Sequence, residues 1–102
     1  RLEAALATPI TFDDYKADIT SKGMAVIRDV ANIISEYPDV AIQIDGHAAS
    51  KTERMALKLS QERAEATSKA LQMLGVQNVI TAKGWGSAQR DSKRRMVKIY
   101  AR

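Results

Sequence analysis

Cysteine is absent from this 102-residue chain, histidine occurs once, and aromatic residues make up only 5% of it. Without a thiol there is no disulfide framework, no cysteine nucleophile and no thiolate metal site. One histidine, His47, with scattered carboxylates falls short of the ligand set of a zinc or transition-metal centre, so no metal and no cofactor is expected. With few aromatics, aliphatic side chains within an apolar share of 45% must fill the core. No run approaches the roughly 18 to 20 apolar residues of a membrane span, and the first residues do not read as a basic, apolar and cleavable signal. The lack of cysteine fits an oxidising compartment. A start at Arg1 and not at methionine reads as a piece of a longer protein.

A chain of this length holds one domain around one core. The net charge of +4 is unevenly spread. Lys83, Arg90, Lys93, Arg94, Arg95, Lys98 and Arg102 face only Asp91 among acids toward the C-terminus, which gives that end a positive field.

Residues 1–7 read as an upstream linker or frayed turn, and 8–102 as the domain. Thr8 to Phe12 is β-branched and aromatic with Pro9 at its edge, which suits a first strand stopped by Asp13-Asp14. Ser21 is placed as the N-cap of a helix to about Tyr37, with Met24, Ile27, Val30, Ala31 and Ile34 on one stripe and Pro38 ending it. Val40, Ile42 and Ile44 then alternate with Ala41, Gln43 and Asp45, the period of a strand with one buried face. A second helix spans about Glu53 to Leu74 on the stripe Ser60, Ala64, Thr67, Leu71 and Leu74, with Gly75 as its stop and Val76 as the apolar residue after it. Val79 to Ala82 reads as a third strand, Lys83 to Ser92 as a loop, and Arg95 to Ala101 as a fourth strand with Val97 and Ile99 inward. The order β-α-β-α-β-β predicts an α/β (α+β) two-layer sandwich, a mixed sheet with two main helices on one face. Parallel pairing is expected among the first three strands, with a hairpin-like connection to the last.

Function is expected where the strand ending at Gly46-His47 meets the second helix, since α/β domains place ligands at strand ends. A Ser60-His47-Asp45 hydrolase fails, because Ser60 lies inside a helical pattern and Asp45 and His47, two apart on a strand, point in parallel without forming a relay. The chain is therefore read as noncatalytic. Asp13, Asp14 and Asp18 lack the spacing and glycine of a calcium loop. Lys93-Arg94-Arg95 with Arg90 and Trp85 could grip phosphates and stack a base, but a basic strand edge is the commoner meaning, so nucleic acid is disfavoured as a partner. Arg63 is the most informative charge. It is either a surface ion-pair partner of Glu62 or a neighbour one turn away, or an anion clamp whose planar fork holds a carboxylate.

With these residues in place, the chain resembles the OmpA C-terminal-like domain shared by OmpA, Pal and MotB proteins. Carrying the resemblance are Ile10-Thr11-Phe12, Tyr37-Pro38, Ile44-Asp45-Gly46-His47, Leu59-Ser60-Gln61-Glu62-Arg63-Ala64, Leu71 with Gly75-Val76, Lys83-Gly84-Trp85-Gly86 and the basic final strand. The family implies peptidoglycan binding through diaminopimelate of the stem peptide, an aspartate taking the ammonium and an arginine the carboxylate. Gly46, His47 and Arg63 match that pattern. The usual Thr-Asp is replaced by Ala48-Ala49, the asparagine by Ala56, and a final-strand arginine by Met96, while Glu53 or Asp45 could stand in for the missing acid.

The expected function is a module anchoring a larger envelope protein to peptidoglycan, on the periplasmic side, with weakened or altered recognition. Its site residues are Arg63, His47, Gly46, Ala49 and Glu53. The alternative is an OmpA-like scaffold repurposed for protein interaction or structure in an organellar or other setting, with a protein partner at the basic C-terminal edge.

Overall fold

The computed structural model of the chain describes residues 10–12, 17–48, 52–87 and 96–101. Strand β1 is Ile10–Thr11, helix α1 Ser21–Ile34, β2 Ile42–Gly46, helix α2 Glu53–Met73, β3 Ile80–Gly84 and β4 Met96–Ala101. The sheet runs β1-β4-β2-β3. β2 and β3 are parallel, and β4 is antiparallel to both β1 and β2. Ile42, Ile44, Val97 and Ile99 turn one sheet face toward Ile27, Val30 and Ile34 of α1 and Ala64, Ala70 and Leu71 of α2, which makes the core. Gln43, Asp45, Thr81 and Lys83 alternate onto the other face, so the molecule is the two-layer α/β sandwich expected, with a mixed sheet.

The placement of the last strand differs from expectation. β4 makes no hairpin with β3 but inserts between β1 and β2, so β1 and β2 are not direct neighbours. Burial gives the reason. β4 pairs Ile44 with Ile99 and Gly46 with Val97, and Val97 and Ile99 are almost wholly covered. Ile80 and Ala82 of β3 are only partly buried, as suits an edge. The basic C-terminal strand is therefore an inner strand and not an edge; Arg90, Lys93, Arg94, Arg95 and Arg102 lie outside the described residues, as do residues 1–9, Asp13 and Asp14.

Both helices follow from their caps and stripes. α1 is capped one residue earlier than expected, by Thr20, whose hydroxyl accepts from Gly23 N at 3.0 Å. It ends at Ile34, three residues short of Tyr37. Thr52 caps α2 by accepting from Met55 N at 3.2 Å, and Glu53 adds a negative charge to the positive first turn. The far end of α2 closes with Gly75 at φ 90°, Gly75 N bonding Gln72 O at 3.0 Å and Val76 N bonding Leu71 O at 3.2 Å. Those two bonds satisfy the last carbonyls and bring Val76 into the core, while Leu74, expected inward, is 41% exposed at this turn.

β3 starts one residue late and extends through Lys83 and Gly84, which pair with Asp45 and Gly46. Two glycines thus lie side by side where α2 crosses. A Cβ at Gly46 would sit 2.1 Å from Ser60 O, and one at Gly84 2.3 Å from Gln61 N. The helix rests on bare backbone there, and no side chain larger than hydrogen fits. Gly46→Ala is expected to cost about 3 kcal/mol or more through forced separation of helix and sheet. Gly75→Ala, where a Cβ meets nothing within 4 Å, should cost only about 1 kcal/mol from its positive φ. Urea unfolding of the two variants checks this order.

Candidate functional site

The ends of β2 and β3 and the first half of α2 form the junction to which the sequence points. Backbone bonds fix its floor: His47 N donates to Met96 O at 2.9 Å, Trp85 N to Gly46 O at 3.0 Å and Ala48 N to Gly86 O at 3.1 Å. Ser60, fully buried, donates its hydroxyl to Leu57 O and accepts from Gly86 N, both at 2.9 Å. Its neighbour Gln61 reaches the outer edge of β3. The Gln61 amide accepts from Gly84 N at 2.7 Å and donates to Ala82 O at 3.2 Å, so it occupies the place of a peptide group in an adjoining strand.

Arg63 lies on the inner side of α2, where it shares one stripe with Ala56, Ser60, Ala64 and Thr67. Its exposure is 0%, and it is the largest fully buried side chain among the described residues. Nη1 donates to the His47 carbonyl at 3.3 Å, and the guanidinium carbon stands 5.1 Å from the centroid of the Phe12 ring. Glu62, by contrast, is exposed: adjacent residues point about 100° apart, so Arg63 faces the sheet and Glu62 the solvent. Thr67 adds an anchor one turn on, donating its hydroxyl to Arg63 O at 2.9 Å.

Arg63, His47 and Gly46 therefore come together. Ala49 lies outside the described residues. Ala48 and Ala56 are both at 0% exposure, as apolar walls. Asp45 projects to the opposite sheet face and accepts from Gln43 Nε2 at 2.8 Å. Glu53 is exposed at the start of α2, accepting from Ser87 N at 2.9 Å and from the Ser87 hydroxyl. Two contributors escape a reading of the sequence alone. Phe12 looks like a strand residue and becomes the wall against the guanidinium; Gln61 looks like a surface residue of a helix and becomes a clasp on β3.

Lys83 Nζ sits 3.9 Å from the Trp85 ring centroid, so the aromatic face considered for base stacking already carries a cation. Among the described residues no group of three or more His, Asp or Glu side chains could hold a metal ion. None of their helices is long and apolar enough to cross a membrane.

Bonds from the Ser87 hydroxyl and backbone N–H hold the Glu53 carboxyl below its ordinary value of 4.5, because both donors favour the ionised form. A depressed folded-state pKa stabilises the folded form above the unfolded value and loses that effect as pH falls through the folded value. The tie between α2 and the Gly86-Ser87 turn should thus be intact at neutral pH and loosen in acid below 4.5. The protection factor of the Ser87 amide, which removes the intrinsic pH dependence of exchange, is expected to fall across that acid range in the parent chain and to be low and flat with pH in Glu53→Gln.

The sequence profile of the OmpA family matches residues 11–97. Probable lipoprotein YiaD of Escherichia coli (strain K12) is 32% identical over 81 residues, which cover 78% of this chain and 37% of that protein. The chain thus spans little more than a third of its relative's length. Among solved structures, the peptidoglycan-associated lipoprotein from Burkholderia pseudomallei has the same fold, with a TM-score of 0.83, 24% identity, and coverage of 96% of this chain and 93% of that one. An outer membrane protein from Borrelia burgdorferi B31 is similar at a TM-score of 0.77 and 29% identity, over 90% of this chain and 82% of that one. By a family match across nearly the whole domain and a relative 32% identical over 78% of this chain, the chain belongs to the OmpA family.

Proposed function

We propose that this domain is a noncatalytic binding module that anchors a larger cell-envelope protein to peptidoglycan from the periplasmic side, with ligand recognition altered from its family's usual pattern. The observation that carries the reading is the guanidinium of Arg63, buried at the β2 end and oriented by the His47 carbonyl and the Phe12 ring. A planar guanidinium is suited to bidentate bonds with a carboxylate. Similarity to a peptidoglycan-associated lipoprotein, to a lipoprotein and to an outer membrane protein supports the envelope setting.

Recognition is altered because the sequence departs from the family pattern. Ala49 and Ala56 stand where the family pattern has an aspartate and an asparagine. Loss of a charge-assisted partner of this kind weakens binding by about 1.5 to 3 kcal/mol, or one to two decades of affinity. Because Arg63 has no exposed surface, a ligand carboxylate reaches it only when the groups covering it move, so binding is coupled to a local opening. The same burial suits a second reading, in which the scaffold serves protein interaction and Arg63 only braces the strand end.

Sedimentation with purified sacculi separates the two. The anchoring reading expects the domain in the pellet, and NMR shifts at Arg63 and His47 on adding a diaminopimelate peptide. Absence of both at millimolar peptide would leave the scaffold reading. Ala49→Asp should tighten peptide binding by about one to two decades; isothermal titration checks the gain.

A further inference from the structure

A second feature lies at the other end of α2, where the C-terminal ends of both helices meet in a cleft. A cavity of about 220 Å³ is bounded by Arg28, Ala31, Asn32 and Ser35, the last being the C-cap of α1, and by Leu74, the C-cap of α2. A smaller one of about 110 Å³ shares Ser35 and continues along Pro38, Gly75, Gln77 and Asn78. Its wall is held firmly. Asn78, 7% exposed, donates from Nδ2 to Tyr37 O at 2.8 Å and to Val40 O at 2.9 Å, which ties the turn after α1 to the segment entering β3. Two carbonyl acceptors on one amide group fix which atom is the oxygen, and that Oδ1 is buried with no donor among the described residues. At Gly75 a Cβ would meet nothing within 4 Å, so the cleft is open there.

The lining selects against ligands of either charge. Among the described residues Arg28 is the one charged side chain that borders either cavity, and it disfavours a cation. The negative ends of two helix dipoles converge at Ser35 and Leu74 and disfavour an anion. A neutral ligand meets neither penalty. Asn32, Ser35 and Gln77 each carry both a donor and an acceptor, which is the pattern that sugar hydroxyls match, because a hydroxyl also does both. Leu74, Pro38 and Ala31 add apolar surface on which the C–H face of a sugar ring can rest. A few convergent polar groups on a preformed, partly apolar cleft are the usual makings of a small-ligand site.

We infer that this cleft binds a neutral, hydroxyl-bearing saccharide, the glycan strand of the wall polymer, at a place separate from the strand-end junction. The inference rests on the anchoring reading above and adds a second contact to it. At about 1.5 Å of rise per residue, Leu74 stands about 16 Å along the helix from Arg63. An extended peptide of about five residues covers that length, so one polymer can present a stem residue at the junction and a sugar at the cleft.

The test titrates the intact domain by NMR with three probes: N-acetylglucosamine oligomers, glycan strands freed of stem peptides by an amidase, and a stem peptide without sugar. Sedimentation with sacculi runs beside it. Both sugar probes should shift the amide signals of Asn32, Gln77 and Asn78, and the stem peptide should not. Arg28→Ala with Gln77→Ala, both at exposed positions, should weaken binding of peptide-free strands about tenfold while thermal unfolding stays that of the parent. Sacculi that pellet the domain while neither sugar probe moves the cleft signals would overturn the inference and leave the anchoring reading standing. Strand binding that the double variant does not weaken, or cleft signals that move with the stem peptide instead, would overturn it equally. If neither sacculi nor any probe binds, both readings fall.

Discussion

The site depends on how closely α2 lies against the ends of β2 and β3. Gly46 and Gly84 are register partners, and the helix backbone at Ser60 and Gln61 occupies the space where their side chains would be. That contact sets the depth at which every later residue of the helix is presented. Ser60 meets the Gly86 turn, Gln61 meets the β3 edge, and Arg63 arrives beneath the His47 carbonyl. A helix one methyl group further out would leave those hydrogen bonds too long to form, since they weaken steeply beyond normal distances.

Such a close approach also explains how a guanidinium is kept at full burial in a small domain. A buried charge is tolerated where hydrogen bonds and polarisable neighbours surround it. Here a backbone carbonyl lies in reach of Nη1, and the Phe12 ring offers its negative face. Phe12 comes from the start of the fold and His47 from its middle, so the arginine ties the β1 end of the chain to β2 across β4. Three segments distant in sequence are organised around one cation.

The elements themselves were legible because their signals are local. Alternation at Val40 to Ile44, the stripe from Ile27 to Ile34, and Gly75 before Val76 each need only neighbours in sequence, and each element is present there with its ends shifted by a few residues. Pairing order was not legible. Nothing local to Val97 or Ile99 tells whether the strand sits beside β3 or between β1 and β2; that choice is made by mutual burial with Ile44 across the sheet. Helix ends drifted for a related reason. Thr20 and Ser21 are both competent caps, and the one that bonds Gly23 wins. That Gly46, His47 and Arg63 come together could be read from the strand end and the helix pattern beside it. The depth of Arg63 and the diversion of Glu53 to Ser87 could not, because both depend on where the Gly86 turn comes to rest.

The Gln61 clasp has a consequence beyond the site. A sheet edge with open N–H and C=O groups is a template on which a second chain can crystallise as another strand, and modules tethered at high local concentration along a polymer would meet edge to edge often. By filling the Gly84 N–H and Ala82 carbonyl with a side-chain amide from its own helix, β3 withdraws two of the groups that an added strand would need. Copies of the domain that meet at high local concentration then have less open backbone at this edge on which to join their sheets.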